Sequence, residues 1–139
     1  MATVLDQYSR RLLAWRVGRV RDARLTGAVI RAALRRRRPA IGLIFHSDRG
    51  SEYLGAAFRH HLAARGVRQS MTRGGAPGEN AHIESFFHSF KADVIHGCQC
   101  ATIGALRRQL RWYLPYYNHQ RLHSALGYRS PVDYERAAA

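Results

Sequence analysis

Cysteine, proline, lysine and acidic residues are all scarce in this 139-residue chain, which holds two, four, one and nine of them respectively. The two cysteines, Cys98 and Cys100, are too few and too close to staple a secreted fold, so a reducing compartment is expected. With His96 they supply three soft ligands where a closed zinc site wants four, and ordinary thiols are the simpler reading. No run approaches the roughly 18 apolar residues of a membrane span. The opening Met1-Ala-Thr-Val-Leu-Asp6 also lacks the charged head and long apolar core of a signal peptide. A cytoplasmic, nucleoid-associated protein is therefore expected. The shortage of acids leaves a formal charge of +14, with arginine 22 times and Lys91 as the only lysine, and makes a polyanion the natural partner. The length suits one domain over residues 1–139 with a real core, and residues 103–139 read as its helical and basic tail.

Along the chain, Val4-Leu5 leads through a polar turn into the β-branched and aromatic stretch Arg11 to Val20, which predicts a hairpin with a stunted first arm. Apolar residues from Leu25 to Leu34 recur at helical spacing until Pro39 stops them. The Arg35 to Arg38 run at the end of that helix suits both the negative end of its dipole and a DNA contact. Ile41 to Phe45 predicts a short buried strand, and Ser51 is placed to cap a helix from Glu52 to Arg65 that Gly66 ends. Val67 to Thr72 alternates as a strand does, and Arg73 to Gly78 reads as a mobile loop. Asn80 then caps a helix whose core stripe is Ile83, Phe86, Phe87, Phe90 and Val94. A last helix starts near Ile103 and is expected to halt before Pro115. This order predicts an α/β domain with a mixed sheet flanked by helices.

Two acids carry the chemistry. Asp48 ends the apolar strand, where ligands gather in open α/β sheets, and Glu84 falls in the first turn of its helix, where the dipole favours a carboxylate. Two hard oxygen ligands of this kind suit Mg²⁺, and two such ions about 3.5–4 Å apart would serve an in-line displacement at phosphorus. His88 and Lys91 follow Glu84 at i+4 and i+7 on one stripe. Lys91 reads either as a point charge for a phosphate or as a solvated helix cation.

Three segments, His46-Ser-Asp-Arg-Gly-Ser-Glu-Tyr53, Asn80-Ala-His-Ile-Glu-Ser-Phe-Phe87 and Tyr117-Asn-His-Gln-Arg-Leu-His-Ser-Ala-Leu-Gly-Tyr-Arg-Ser-Pro131, occur in this order. Together they resemble the integrase-type catalytic core of the IS3-family insertion-sequence transposases, relatives of retroviral integrases, from about Val4 to Glu135. The resemblance implies an RNase H-like fold and a DDE transferase that cuts and joins DNA with three carboxylates and Mg²⁺ or Mn²⁺. It puts Asp48 and Glu84 in the second and third carboxylate positions and Lys91 on the DNA-facing side of the catalytic helix. His88 and Arg73 join it as DNA-binding candidates. Asn118, Arg121 and His123 fall in the C-terminal signature, with DNA contact or helix docking left open. DNA, as transposon ends and target, is the implied partner; a homo-oligomer is allowed, and neither a membrane nor a small-molecule substrate is implied.

The same resemblance predicts a gap. Val4 to Arg11 corresponds to the family's second strand turning into its third, so the opening strand with the first aspartate is expected to be absent. Asp6 then lies at the wrong end of the sheet, and Asp22 stands three strand steps, roughly 14 Å, from the strand bearing Asp48. An incomplete and inactive core is the expectation, with little strand transfer and unpaired ladder groups beside Ile41 to Phe45. The alternative is a non-catalytic basic remnant that still binds DNA.

Overall fold

The computed structural model describes residues 1–20, 22–73, 77–95 and 102–138; His96, Cys98 and Cys100 lie outside them, as does the centre of the expected loop at 74–76. Strand β1 (Ala2–Leu5) pairs antiparallel with β2 (Leu12–Arg16), with an irregularity between Val4 and Leu5. The connecting turn is made by Asp6, whose Oδ1 accepts from the backbone N–H groups of Tyr8 (2.9 Å) and Ser9 (3.2 Å). Helix α1 (Ala23–Arg37) starts two residues ahead of its apolar stripe because Asp22 caps it, accepting from Leu25 N at 2.8 Å. It closes through Arg38, at φ +46°, before Pro39.

Strand β3 (Ile44–Ser47) pairs parallel with β4 (Arg68–Met71). Between them lie α2 (Ser51–Leu54) and α3 (Ala56–Ala63), where one helix was expected. Gly55 divides them in extended conformation, and Ser51 is the first helical residue rather than the cap. Gly66 ends this stretch as expected, at φ +64°, a left-handed conformation that a glycine adopts without strain. Helix α4 (Ala81–Phe90) follows a 3₁₀ turn at Pro77–Asn80 and passes into a π-helical turn at Lys91–Ile95. Asn80 stands at its N-terminus without a side-chain cap bond.

Helix α5 (Ile103–His119) runs through Pro115 instead of halting before it. Pro115 is exposed, so the lost backbone bond is open to water, while Leu114, Tyr117 and Asn118 around it are buried. Packing outweighs the local cost. After a 3₁₀ turn at Ser124–Leu126, the chain ends in α6 (Pro131–Ala137), which the sequence reading did not foresee. Its signal was present: Ser130 caps by accepting from Asp133 N, and Pro131 occupies the first helical turn.

The hairpin sits between two helical layers. Ala14 faces α1, in a cluster with Ala2, Val29 and Ala33, whereas its neighbour Trp15 packs on the opposite side against the Phe86, Phe90, Leu110, Tyr113 and Tyr117 cluster of α4 and α5. A third cluster joins α1 to α3 through Ile30, Phe58, Leu62 and Val67.

The α/β class holds, but the expected single mixed sheet is split into two pairs, β1 with β2 and β3 with β4. The expectation of a buried strand at Ile41 to Phe45 is corrected as well: the strand begins at Ile44, which is 58% exposed, and Ile41 is 90% exposed. Among the described residues, only one edge of β3 is paired, and the other borders an open cleft of about 830 Å³. No helix among the described residues is long and apolar enough to cross a membrane.

Candidate functional site

Asp48 directly follows β3, and its loop is tied at each residue. Gly50 N donates to Asp48 Oδ1 (3.0 Å), Ser47 Oγ donates to the Asp48 carbonyl (2.9 Å), and Arg49 Nε donates to the Thr72 carbonyl beyond β4 (3.0 Å). These bonds fix the carboxylate at the carboxyl end of the parallel pair. They also bring up an acid that the sequence reading passed over. Glu52, in the first turn of α2, is buried. A Cβ built on Gly50 would lie 2.6 Å from Glu52 Oε2 and 3.0 Å from Asp48 Oδ1, so both carboxylates converge over this one residue. A side chain there would displace the Glu52 carboxylate. The signal was the Asp48-Arg-Gly-Ser-Glu52 spacing, legible only once the turn into α2 is known.

Asn80, His82, Ile83 and Phe87 from the start of α4 border the same cleft as Asp48 and Glu52. Glu84 lies on this helix beside them, in its first turn, with its side chain exposed to solvent. The fold thus brings Asp48 and the Glu84-bearing helix to one cleft. Asp48 and Glu52 suit one hard cation held by one or two carboxylates and water. Among the described residues, no group of three or more His, Cys, Asp or Glu is arranged to hold a metal ion.

The other two aspartates that might have served are used structurally. Asp6 makes its turn and pairs with Arg37 at 3.0 Å, and Asp22 caps α1. The structure therefore puts neither in the acid pair.

His88 and Lys91 are exposed on α4 and the turn after it. Arg73 is exposed but engaged: its backbone and side chain donate to Glu79 at 2.8 and 2.9 Å, and the backbone bond foremost holds the Glu79 carboxyl below its usual value. The C-terminal signature is drawn inward and packs against the rest of the fold. Asn118 is buried, accepting from Leu12 N (2.9 Å) and donating to the Leu12 carbonyl (3.0 Å), which fastens α5 to β2. Arg121 reaches Asp93 (3.3 Å) and Ser89 (3.0 Å) and lies over the Tyr117 ring. His123 stacks edge-on against Tyr117, and burial, aided by Arg121 and Arg10, lowers its pKa to about 4.

The arginine run is divided in the same way. Arg37, Arg11 and Ser9 converge on Glu135 of α6, and Arg36 reaches the Leu13 carbonyl at 3.4 Å. Burial alone would raise the Glu135 carboxyl, but its bonds from Arg37, Ser9 and Arg11 bring it down to about 2. Arg35 and Arg38 remain exposed, among many such arginines.

Two family profiles, both described as integrase core domain, match residues 1–77 and 65–131. The chain is 32% identical over 137 residues to the transposase for insertion sequence element IS904 of Lactococcus lactis subsp. lactis (strain IL1403), covering 98% of this chain and 54% of that protein. It is 35% identical over 136 residues to transposase InsF for insertion sequence IS3A of Escherichia coli (strain K12), covering 97% and 47%. The chain thus spans about half the length of the curated relatives it matches. Among solved structures, the catalytic core domain of BIV integrase superposes with a TM-score of 0.70 at 18% identity, covering 98% of this chain and 85% of that one. The HTLV-2 integrase catalytic core domain in complex with magnesium gives 0.61 at 14%, covering 94% and 80%. These likenesses make the fold RNase H-like.

Proposed function

This chain belongs to the integrase core domain family, and from that membership we propose that it is the DNA-handling core of an insertion-sequence transposase. In this reading Asp48 and Glu84 are the ligands of a divalent cation, Mg²⁺ or Mn²⁺. The observation that carries it is the meeting of the Asp48 loop and the start of α4 at one cleft. A bound cation would neutralise charge on a phosphoryl oxygen. The protein's own contribution is to hold the Asp48 carboxylate with the Gly50 N–H and to present the Glu84 side chain from the first turn of α4. Exposed arginines, with His88 and Lys91 beside Glu84, would track the phosphate backbone of DNA.

A second reading, salt-sensitive DNA binding without strand cleavage, is favoured by the absence of a three-ligand metal group among the described residues. Mn²⁺ titration followed by water-proton relaxation, alongside nicking of supercoiled plasmid, separates the two. Asp48→Asn should weaken Mn²⁺ binding about tenfold or more, a loss of at least roughly 1.4 kcal/mol. Metal-dependent nicking that this substitution abolishes supports the enzyme. Plasmid binding that falls steeply with salt, is unchanged in Asp48→Asn and comes with no nicking supports the binding remnant. Mn²⁺ affinity equal in the two proteins would remove Asp48 from the metal site.

A further inference from the structure

Helix α5 has two faces of opposite character. Leu110, Tyr113, Leu114 and Tyr117 are buried in the cluster shared with β2 and α4. On the other side Arg108, Arg111, Trp112, Pro115 and His119 are exposed, and at about 100° per residue they fall within an arc of about 100°. Trp112 is 64% exposed, the largest apolar side chain so open among the described residues, whereas Trp15, the other tryptophan, packs against the core. An exposed valine or leucine needs no explanation, but an indole gives up far more burial. The ring is also held in place. It lies parallel to that of Tyr116, with 4° between the planes and 5.8 Å between centroids, and Tyr116 is itself anchored on the core through Tyr113, 5.9 Å away.

From this face we infer that α5 is a stacking platform for the unpaired bases of a single nucleic-acid strand, with Trp112 as the ring on which a base lies and Arg108 and Arg111 as the contacts to its phosphates. Every base offers a flat π-face, so an aromatic ring flanked by cations holds a single strand without reading its sequence. A duplex keeps its base faces stacked inside and would leave the indole uncovered. Among the described residues neither Arg108 nor Arg111 forms an ion pair, and α5 carries no acidic residue that could serve them. The same charge argues against a second copy of this chain. A two-fold contact would set these arginines against their own counterparts, and like charges brought together disfavour association. The arginines call for an anion and the indole for a flat apolar surface, and a single strand supplies both.

The length of the face sets the size of the occupant. From Arg108 to His119 the helix rises about 16 Å, which a stacked strand covers with about five nucleotides at roughly 3.4 Å each. Arg108 reaches back along the axis, with its Nη1 4.0 Å from where a Cβ on Gly104 would lie, so its guanidinium extends the face toward the start of the helix. No residue of α5 lines the cleft that holds Asp48 and Glu52. The platform is therefore a nucleic-acid contact separate from the acids. It goes beyond the proposed function and stands whether or not they bind metal.

The test uses the full chain, a short oligothymidylate and an abasic oligomer of the same length and backbone, with tryptophan emission as the readout. Oligothymidylate should quench the exposed indole and shield it from acrylamide, and the abasic oligomer should bind about tenfold or more weakly. Trp112→Ala should weaken oligothymidylate about tenfold, remove the quenched emission and leave the abasic oligomer unchanged, while Trp112→Tyr keeps most of the affinity. Oligouridylate titrated alongside tells DNA from RNA: Trp112-dependent binding of either supports the platform, and the tighter one names the strand. Equal affinity of the unaltered protein for oligothymidylate and the abasic oligomer would overturn the inference and reduce the face to an arginine patch, a result that needs no variant. Duplex binding weakened by Trp112→Ala as much as oligothymidylate binding would overturn it too, since no base is then being stacked. A dimer by sedimentation that Trp112→Ala dissociates and oligothymidylate does not would make a second copy of this chain the occupant.

Discussion

The C-terminal tail and the β3 region are both built from short apolar stretches studded with polar residues, yet the fold uses them in opposite ways. In the tail, polar side chains serve as mortar: Asn118 holds both backbone groups of Leu12, Arg121 ties Ser89 to Asp93, and Glu135 gathers Ser9, Arg11 and Arg37. Around β3, polar groups point to open space, apolar side chains are exposed, and Asp48 and Glu52 lie at the border. Stability is concentrated in the first region, and the candidate chemistry lies in the second. Regions with few buried apolar contacts and open backbone groups are where local opening is least costly.

Substitutions can break this contrast or sharpen it. Leu110, fully buried between α4 and α5, should cost about 2–5 kcal/mol as Leu110→Ala, read as a shift in urea midpoint. Asn118→Ala should cost a comparable amount, about 2–6 kcal/mol, since two buried backbone groups of Leu12 lose their partner at about 1–3 each. If Asn118→Ala leaves the midpoint unchanged, the tail is not the clamp described.

Acid should loosen the tail in two windows. The His123 pKa is lowered by burial to about 4, so the unfolded chain takes up that proton first, and stability falls as pH drops from about 6.5 toward 4. Glu135 is depressed to about 2, so its contribution is present above the ordinary value of 4.5 and is lost as pH falls from there toward 2. Urea midpoints measured across pH would follow both. Glu135→Gln should flatten the lower window and leave the upper one, and an unaltered profile would remove Glu135 from the lock.

Much of this was legible locally. Periodicity located α1 and the Phe86, Phe90 and Val94 stripe of α4 and the turn after it, and Gly66 stops its segment where a left-handed residue was needed. The Asp48 and α4 motifs do meet at one cleft. What escaped depends on partners distant in the chain. The docking role of Asn118 requires Leu12, 106 positions away, and the convergence of Glu52 on Asp48 requires the turn at Gly50. Pro115 was read as a stop because local rules cannot weigh Leu114 and Tyr117 packing around it. The composition of Ile41 to Phe45 states that the strand wants cover on both faces; it does not state where that cover comes from.

That last point gives the smallest expected effect and the one that tests the contrast most directly. In the centre of a covered sheet, truncating an isoleucine costs about as much as Leu110→Ala, roughly 2–5 kcal/mol. Ile44 occupies such a strand by composition but is 58% exposed, so little apolar area returns to water when it is shortened. Ile44→Ala should therefore cost under about 1 kcal/mol, much of it the weaker strand preference of alanine. The comparison with Leu110→Ala sets a covered aliphatic side chain against an uncovered one. A loss near that of Leu110 would mean that Ile44 is buried in solution and that the β3 side is already closed, by another copy or by a rearrangement of the strand pairs. A small loss leaves the open edge as described.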